Sequence, residues 1–344
     1  MLQPYITRGV SGIGGRLRVE PEDFQVDERP LYLPCGEGEH LYIKVTKRLL
    51  STPDLIRRIS STVGVKAQGI GTAGLKDARA VTTQMVSLHF VTPDRLSRLK
   101  VDEQILSIEV LGWHRNRLRP GHHAGNRFRL VIRDVGTQAS EVVPTILEEL
   151  SRRGVPNYFG PQRQGKSGEN YQIGAILLTE ASKREKMSRA KRMWYLNTFQ
   201  SYLFNQILAR RIDRIDRVLV GDWAMKMDNE ACFLVEDAEK EQPRADRFEI
   251  SPTGILFGSR VSWASDEPGD IERSVISENG LTPESLVEAA KACGFRGERR
   301  SFRIPLADLD WTLDGSVLTL SFSLPPGAYA TSVLRELMKV TELG

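Results

Sequence analysis

The chain of 344 residues exceeds the usual size of one domain, and its 40% apolar and 27% charged residues describe a soluble protein with ample core, so two domains are expected. Lysine and arginine number 48 against 44 acidic residues, a formal charge of +4 that is compatible with an anionic partner without identifying one. The start, MLQPYITRGVSGIGG, lacks a cationic segment followed by an apolar run, and no later stretch approaches about 18 uninterrupted apolar residues, which argues against export and membrane spanning.

Leu17, Val19, Phe24 and Val26, and then Leu41, Ile43 and Val45, largely alternate, so Leu17 to Val26 and Leu41 to Val45 read as strands of a first hairpin. Thr52, Pro53 and Asp54 offer an N-cap, a first-turn proline and a first-turn acid ahead of Leu55, Ile56, Ile59 and Val63 at helical spacing. Val81 to Val91, Gln104 to Gly112 and Phe128 to Val135 are further β-rich runs, and Glu141 to Arg152 is a helix ending at Gly154. This half is α+β. The texture changes near Val155, where the loop VPNYFGPQRQG leads to a basic run, Lys183 to Arg192, that reads equally as a phosphate grip and as a solvated helix face. Leu196, Phe199, Leu203, Ile207 and Leu208 share one face, so Met193 to Arg211 should be a long helix with its aromatics in the core. After the polar stretch Ser262 to Asn279 and the helix-like LTPESLVEAAKACG, the chain returns to a hairpin around Asp314-Gly315 and ends in a helix starting near Thr331 or Ser332. Cys35, Cys232 and Cys293 are far apart and odd in number, which fits free thiols in the cytoplasm.

Two strings imitate nucleotide motifs. Gly160 to Ser167, GPQRQGKS, matches a phosphate loop, but no buried strand precedes it and Gly168 follows at once. Gly69 to Gly74, GIGTAG, has dinucleotide-fingerprint spacing but is followed by a β-rich run and not by a helix. The histidines His40, His89, His114, His122 and His123 lack metal-ligand spacing, so no metal is expected, and His122 and His123 are expected to face solvent or an RNA backbone. More informative is GLKDARAVTTQ, Gly74 to Gln84. Asp77 there stands between Lys76 and Arg79, and nearby cations favour the ionised form that a nucleophile or an electrostatic anchor needs. A turn aspartate is also commonly a cap or a loop former, and Phe24 and Phe128 read by themselves as inward strand aromatics.

Taken together with EPEDFQVDE, GEHLYIKVTK, RPGHHAGNRF, GVPNYFGPQR, QSYLFNQIL, ISPTGILFG and LPPGAYATSVLRE, that segment resembles the TruD family of tRNA pseudouridine synthases, in the same order from about Leu17 to Glu336. The resemblance implies an α+β pseudouridine-synthase catalytic domain with a mixed sheet, residues 1–153 and 300–344, interrupted by an inserted α+β TRUD domain, residues 154–299. It implies an isomerase of one tRNA uridine, position 13 in bacterial members, with tRNA as partner and with no metal, cofactor or nucleotide. It places the catalytic aspartate at Asp77, its basic partner at Arg18, the N-x-F motif at Asn126 and Phe128, and further substrate contacts at Phe24 and Tyr329. Tyr329 stands where members can carry phenylalanine, and Gln164 stands where an aromatic is expected. A monomer is expected. Two other readings stay open: a non-catalytic RNA-binding protein on the same scaffold, and a nucleotide hydrolase using Lys166.

Overall fold

The computed structural model describes residues 3–165, 168–180 and 187–340. These divide into two compact units, one of residues 12–144, 306–330 and 337–340, the other of the described residues within 3–11, 145–305 and 331–336. Lys166 and Ser167, and residues 183–186 of the basic run, lie outside the described residues.

The first unit is built on β1 (Gly14–Leu17), β2 (Phe24–Pro30), β3 (His40–Arg48), the helix α1 (Thr52–Ile59), β4 (Ile70–Thr72), β5 (Val81–His89), β6 (Ile105–His114) and β7 (His123–Val135). β8 (Ala307–Asp314) and β9 (Val317–Leu324) join it from the far end of the chain. They form one nine-stranded sheet in the order β8-β9-β7-β2-β5-β3-β6, with β1 on β7 and β4 on β5. β2 and β5 run parallel, opposing Gln25 to Val81 and Val26 to Thr82, while the other ladders are antiparallel, so the sheet is mixed. Alternation sends Leu41, Ile43 and Val45 of β3 to one face, where they pack with Leu55 and Ile59 of α1 and with Val63, Val86, Leu88 and Ile105.

Three local expectations change. No hairpin joins β2 to β3, because β5 lies between them. The expected strand Leu17 to Val26 is broken: Arg18 adopts a φ of 58°, in the left-handed region, and Pro21–Asp23 forms a single tight turn before β2 begins. The cap of α1 is Ser51, whose hydroxyl accepts from the Asp54 N–H at 3.2 Å, and this leaves the Thr52 hydroxyl to bond elsewhere.

In the second unit the long helix runs Arg189–Arg211, with Leu196, Phe199, Leu203, Ile207 and Leu208 buried. Pro283–Cys293 is capped by Thr282 and closed by Gly294 at a φ of 67°. The polar stretch holds a helix that its composition hid, Asp266–Glu278, where Glu272 is buried against Arg299 at 2.6 Å. A four-stranded sheet orders Cys232–Leu234, Trp223–Lys226, Ile250–Leu256 and Glu298–Ser301. Among the described residues of the GPQRQGKS string, Pro161–Gln164 form a single tight turn, and the next described helix begins at Asn170. Gln164 donates from Nε2 to the Thr198 carbonyl at 3.1 Å, while its Oε1 is buried with no partner among the described residues. The three cysteines are free. Among the described residues no helix is long and apolar enough to cross a membrane.

Candidate active site

Every candidate site residue belongs to the first unit. Asp77 lies in the loop joining β4 to β5, and its Oδ1 accepts the Arg79 N–H at 3.0 Å, the local bond that lets an aspartate shape its own turn. Its other oxygen, Oδ2, receives Arg18 Nη2 at 2.5 Å. The left-handed backbone at Arg18 turns the chain off β1, and the guanidinium also lies 4.2 Å above the Phe24 ring. The pair is partly open, with 19% of the Arg18 side chain and 37% of the Asp77 side chain exposed, so the carboxylate remains reachable.

The loop itself is fastened along its length. The Lys76 N–H donates to Thr52 Oγ1 at 2.9 Å, and the Thr52 hydroxyl in turn donates to Gln84 Oε1 at 2.9 Å. The Leu49 N–H donates to the Ala80 carbonyl at 3.2 Å, and Lys47 Nζ donates to the Asp77 carbonyl at 3.3 Å. A carboxylate on such a loop is held before any ligand arrives.

The flanking cations play other parts than their sequence positions implied. Lys76 turns inward, where Nζ meets Glu28 Oε2 at 2.8 Å and Asn126 Oδ1 at 2.6 Å, while Arg79 reaches Asp77 only through its backbone N–H. The Lys76 and Glu28 side chains are 5% and 1% exposed. Glu28 also accepts the Met85 N–H at 3.0 Å through Oε1 and so ties β2 to β5. Asn126 follows Gly125, whose φ of 129° and whose approach to the Leu324 carbonyl leave no room for a Cβ.

Phe128 is buried, stacked on Phe322 with ring centroids 5.4 Å apart and edge-on to Phe24 at 6.4 Å. Strand alternation explains this: Phe24, Val26 and Glu28 of β2 and Asn126 and Phe128 of β7 share a face. Tyr329 is half-buried beyond β9, and among the described residues no hydrogen bond or ring contact joins it to this cluster. His122 and His123 are half-buried, and each is tied to a neighbour. The His122 Nδ1 and the Tyr32 hydroxyl are hydrogen-bonded at 2.8 Å, and His123 accepts the Gly125 N–H at 3.2 Å. Burial, and then the charge of Lys76, hold His123 below the usual histidine pKa. No group of three or more histidine, cysteine or carboxylate side chains among the described residues could hold a metal ion.

The structure therefore brings together Asp77 with Arg18, Arg18 with Phe24, and Phe24 with Phe128, and links Asn126 to the loop through Lys76. Sequence reasoning missed Glu28, Thr52 and Lys47. Two of them carried a signal: Glu28 lies two positions beyond Val26 on the face of Phe24, and Lys47 stands where the inward row Leu41, Ile43, Val45 calls for another apolar residue.

The sequence model described as tRNA pseudouridine synthase D (TruD) matches residues 2–185 and 179–337. Relatives named tRNA pseudouridine synthase D include one from Thermus thermophilus, 42% identical over 346 residues, covering 99% of this chain and 93% of its own. Another from Geobacter sulfurreducens is 39% identical over 398 residues, covering 97% of this chain and 96% of its own. The crystal structure of a putative tRNA pseudouridine synthase D from Methanosarcina mazei superimposes with a TM-score of 0.85 at 25% identity, over 98% of this chain and 96% of that one. With a sequence match along almost its whole length and a shared fold, the chain belongs to the TruD family of tRNA pseudouridine synthases.

Proposed function

We propose that the chain converts uridine 13 of tRNA to pseudouridine, with Asp77 as the group that acts on the ribose of a flipped-out uridine. The observation that carries this reading is the Arg18–Asp77 pair at 2.5 Å, a held and reachable carboxylate whose arginine lies over the Phe24 ring, itself edge-on to Phe128, in a chain of this family. In the reaction the N1–C1′ bond breaks, the uracil turns within the site, C5 bonds to C1′, and the C5 proton is lost as N1 gains one, so no oxidant or co-reactant is consumed. The Asp77 carboxylate either adds to C1′ or removes the C2′ proton, and Arg18, 2.5 Å from its Oδ2, aims it for both routes.

Flipping a base out of folded RNA costs a few kcal/mol, which stacking and hydrogen bonds in the pocket offset. Phe24 and Phe128 form the aromatic wall for the uracil, a contact of roughly 1–3 kcal/mol per base. Asn126, held by Lys76, presents its amide to the base edge or the ribose. Tyr329, in the loop after β9, is assigned a further contact to the substrate on the family resemblance. In this reading residues 1–153 and 300–344 form the catalytic domain and residues 154–299 the inserted TRUD domain. The compact units divide at Pro144/Thr145 and Pro305/Leu306, several residues outside those bounds, and residues 3–11 and 331–336 group with the second unit.

Pseudouridine mapping of tRNA after incubation with wild type and Asp77→Asn tests the reading. Wild type should convert position 13, and the variant should lose at least ~10³-fold in rate, the scale on which an activated nucleophile contributes, while still binding tRNA. Equal rates would remove Asp77 from the chemistry, and conversion at another position would remove uridine 13.

A further inference from the structure

Lys47 is the fourth inward residue of β3, after Leu41, Ile43 and Val45, and it is fully buried. A methionine there would fill similar space without the penalty of taking a charge out of water, so the ammonium calls for an explanation. Its partners are main-chain carbonyls: Nζ donates to Leu50 and, at 3.3 Å, to Asp77. The turn that brings Leu50 back is itself constrained, because Leu49 adopts a φ of 50°, which an L-residue with a bulky side chain adopts only at a cost. In that conformation the Leu49 N–H bonds the Ala80 carbonyl, at the far end of the Asp77 loop. The end of β3 and the loop are therefore fastened at both Asp77 and Ala80. Two charged side chains act on Lys47: Asp77 favours its proton, and Lys76 opposes it.

We propose that Lys47 is a positioning residue of the isomerase, whose buried ammonium holds the main chain of Asp77 and keeps a second positive charge, besides Arg18, close to the catalytic carboxylate. The inference rests on the assignment of Asp77 above. Burial pushes the Lys47 ammonium down to about 8, with Asp77 acting against the shift. The charge is thus present below pH 8 and is lost as the pH rises through that value. A neutral amine can still donate to a carbonyl, but it no longer supplies the charge.

Single-turnover conversion of tRNA by the full-length wild-type protein comes first, since its absence would fail the functional reading and leave Lys47 aside. Rates are then compared for wild type, Lys47→Met and Lys47→Arg between about pH 6.5 and 9.5, a range that brackets the proposed ionisation. Lys47→Met should lose on the order of 10²-fold in single-turnover rate, as expected for a displaced catalytic group, with tRNA affinity unchanged. Wild type should fall off on the alkaline side near pH 8, and Lys47→Arg, which keeps its charge, should carry its rate to higher pH. A wild-type rate in Lys47→Met, or a loss in that variant with the alkaline limb still in place, would overturn the proposal. If Lys47→Met does not fold, the comparison of Lys47→Arg with wild type decides: a displaced limb supports the role, and coincident limbs refute it.

Discussion

Two ion pairs stand near the site, and their surroundings assign them different work. The Arg18–Asp77 pair is partly exposed, so its contribution to folding is small, about 0–1 kcal/mol. Its proposed worth lies in the reaction. Arg18→Met should shift the urea midpoint little yet slow tRNA modification by roughly 10²-fold or more, the scale of a lost electrostatic partner, and Arg18→Lys should recover part of that loss. Equilibrium unfolding and single-turnover rates on the same preparations separate the two effects. The Lys76–Glu28 pair is buried, and removing one partner strands the other charge away from water. Lys76→Met should therefore cost about 3–5 kcal/mol in urea unfolding, and the double change of Lys76 and Glu28 to methionine and glutamine should cost less than the single one. The presence of a charged turn at Asp77 was legible in the sequence, and Arg18 came through the family resemblance. The direction in which Lys76 points was not legible, because adjacency along a loop does not say whether a side chain follows the surface or turns toward a buried carboxylate.

Strand period did most of what the sequence could reveal of the elements. It identified β3, β5 and the β8–β9 hairpin, and the residues on one face of β7, Asn126 and Phe128, are those that meet Lys76 and Phe24. It could not reveal pairing. β2 and β3 look like neighbours, yet a parallel partner, β5, is inserted between them by a chain that first passes through α1 and β4. Nor could period show that Arg18 breaks its strand, since the left-handed backbone there leaves no pattern in side-chain type. Pairing also sets a pH response. His40 of β3 lies opposite His89 of β5, their rings stacked at 4.8 Å, and burial, with the charge of His89 second, lowers the His40 pKa. Below its usual pKa of 6.5 the unfolded chain takes up a proton that folded His40 refuses, so stability is lost as the pH falls from 6.5 toward the folded value. The urea midpoint should drop between about pH 7 and 5.5, and His40→Gln should flatten that drop. A variant with the wild-type slope would assign the response elsewhere.

For the molecule as a whole, the resemblance named the family at once, while composition alone gave only a mild positive charge and room for two domains. Phosphate contacts dominate affinity for RNA, so tRNA binding should weaken with salt at a log–log slope of about −0.7 to −0.9 per phosphate neutralised. Filter binding across a salt series should give parallel lines for wild type and Asp77→Asn, because that substitution alters one reacting group and leaves the basic surface intact. Steeper loss in the variant would mean that Asp77 orders the RNA contact as well. The order of synthesis adds a constraint of its own. β9 pairs with β7 along Asn126 to Ile132, yet the two strands are separated in the chain by the greater part of the second unit. At ribosomal speeds of about 5–20 residues per second, β7 waits roughly ten to forty seconds for that partner, with one edge unpaired and Phe128 deprived of Phe322. A chain truncated before Ala307 should therefore emerge with a sticky edge and a Phe128 ring without its stacking partner, so premature termination late in the message leaves a species prone to aggregation and not merely a slower enzyme.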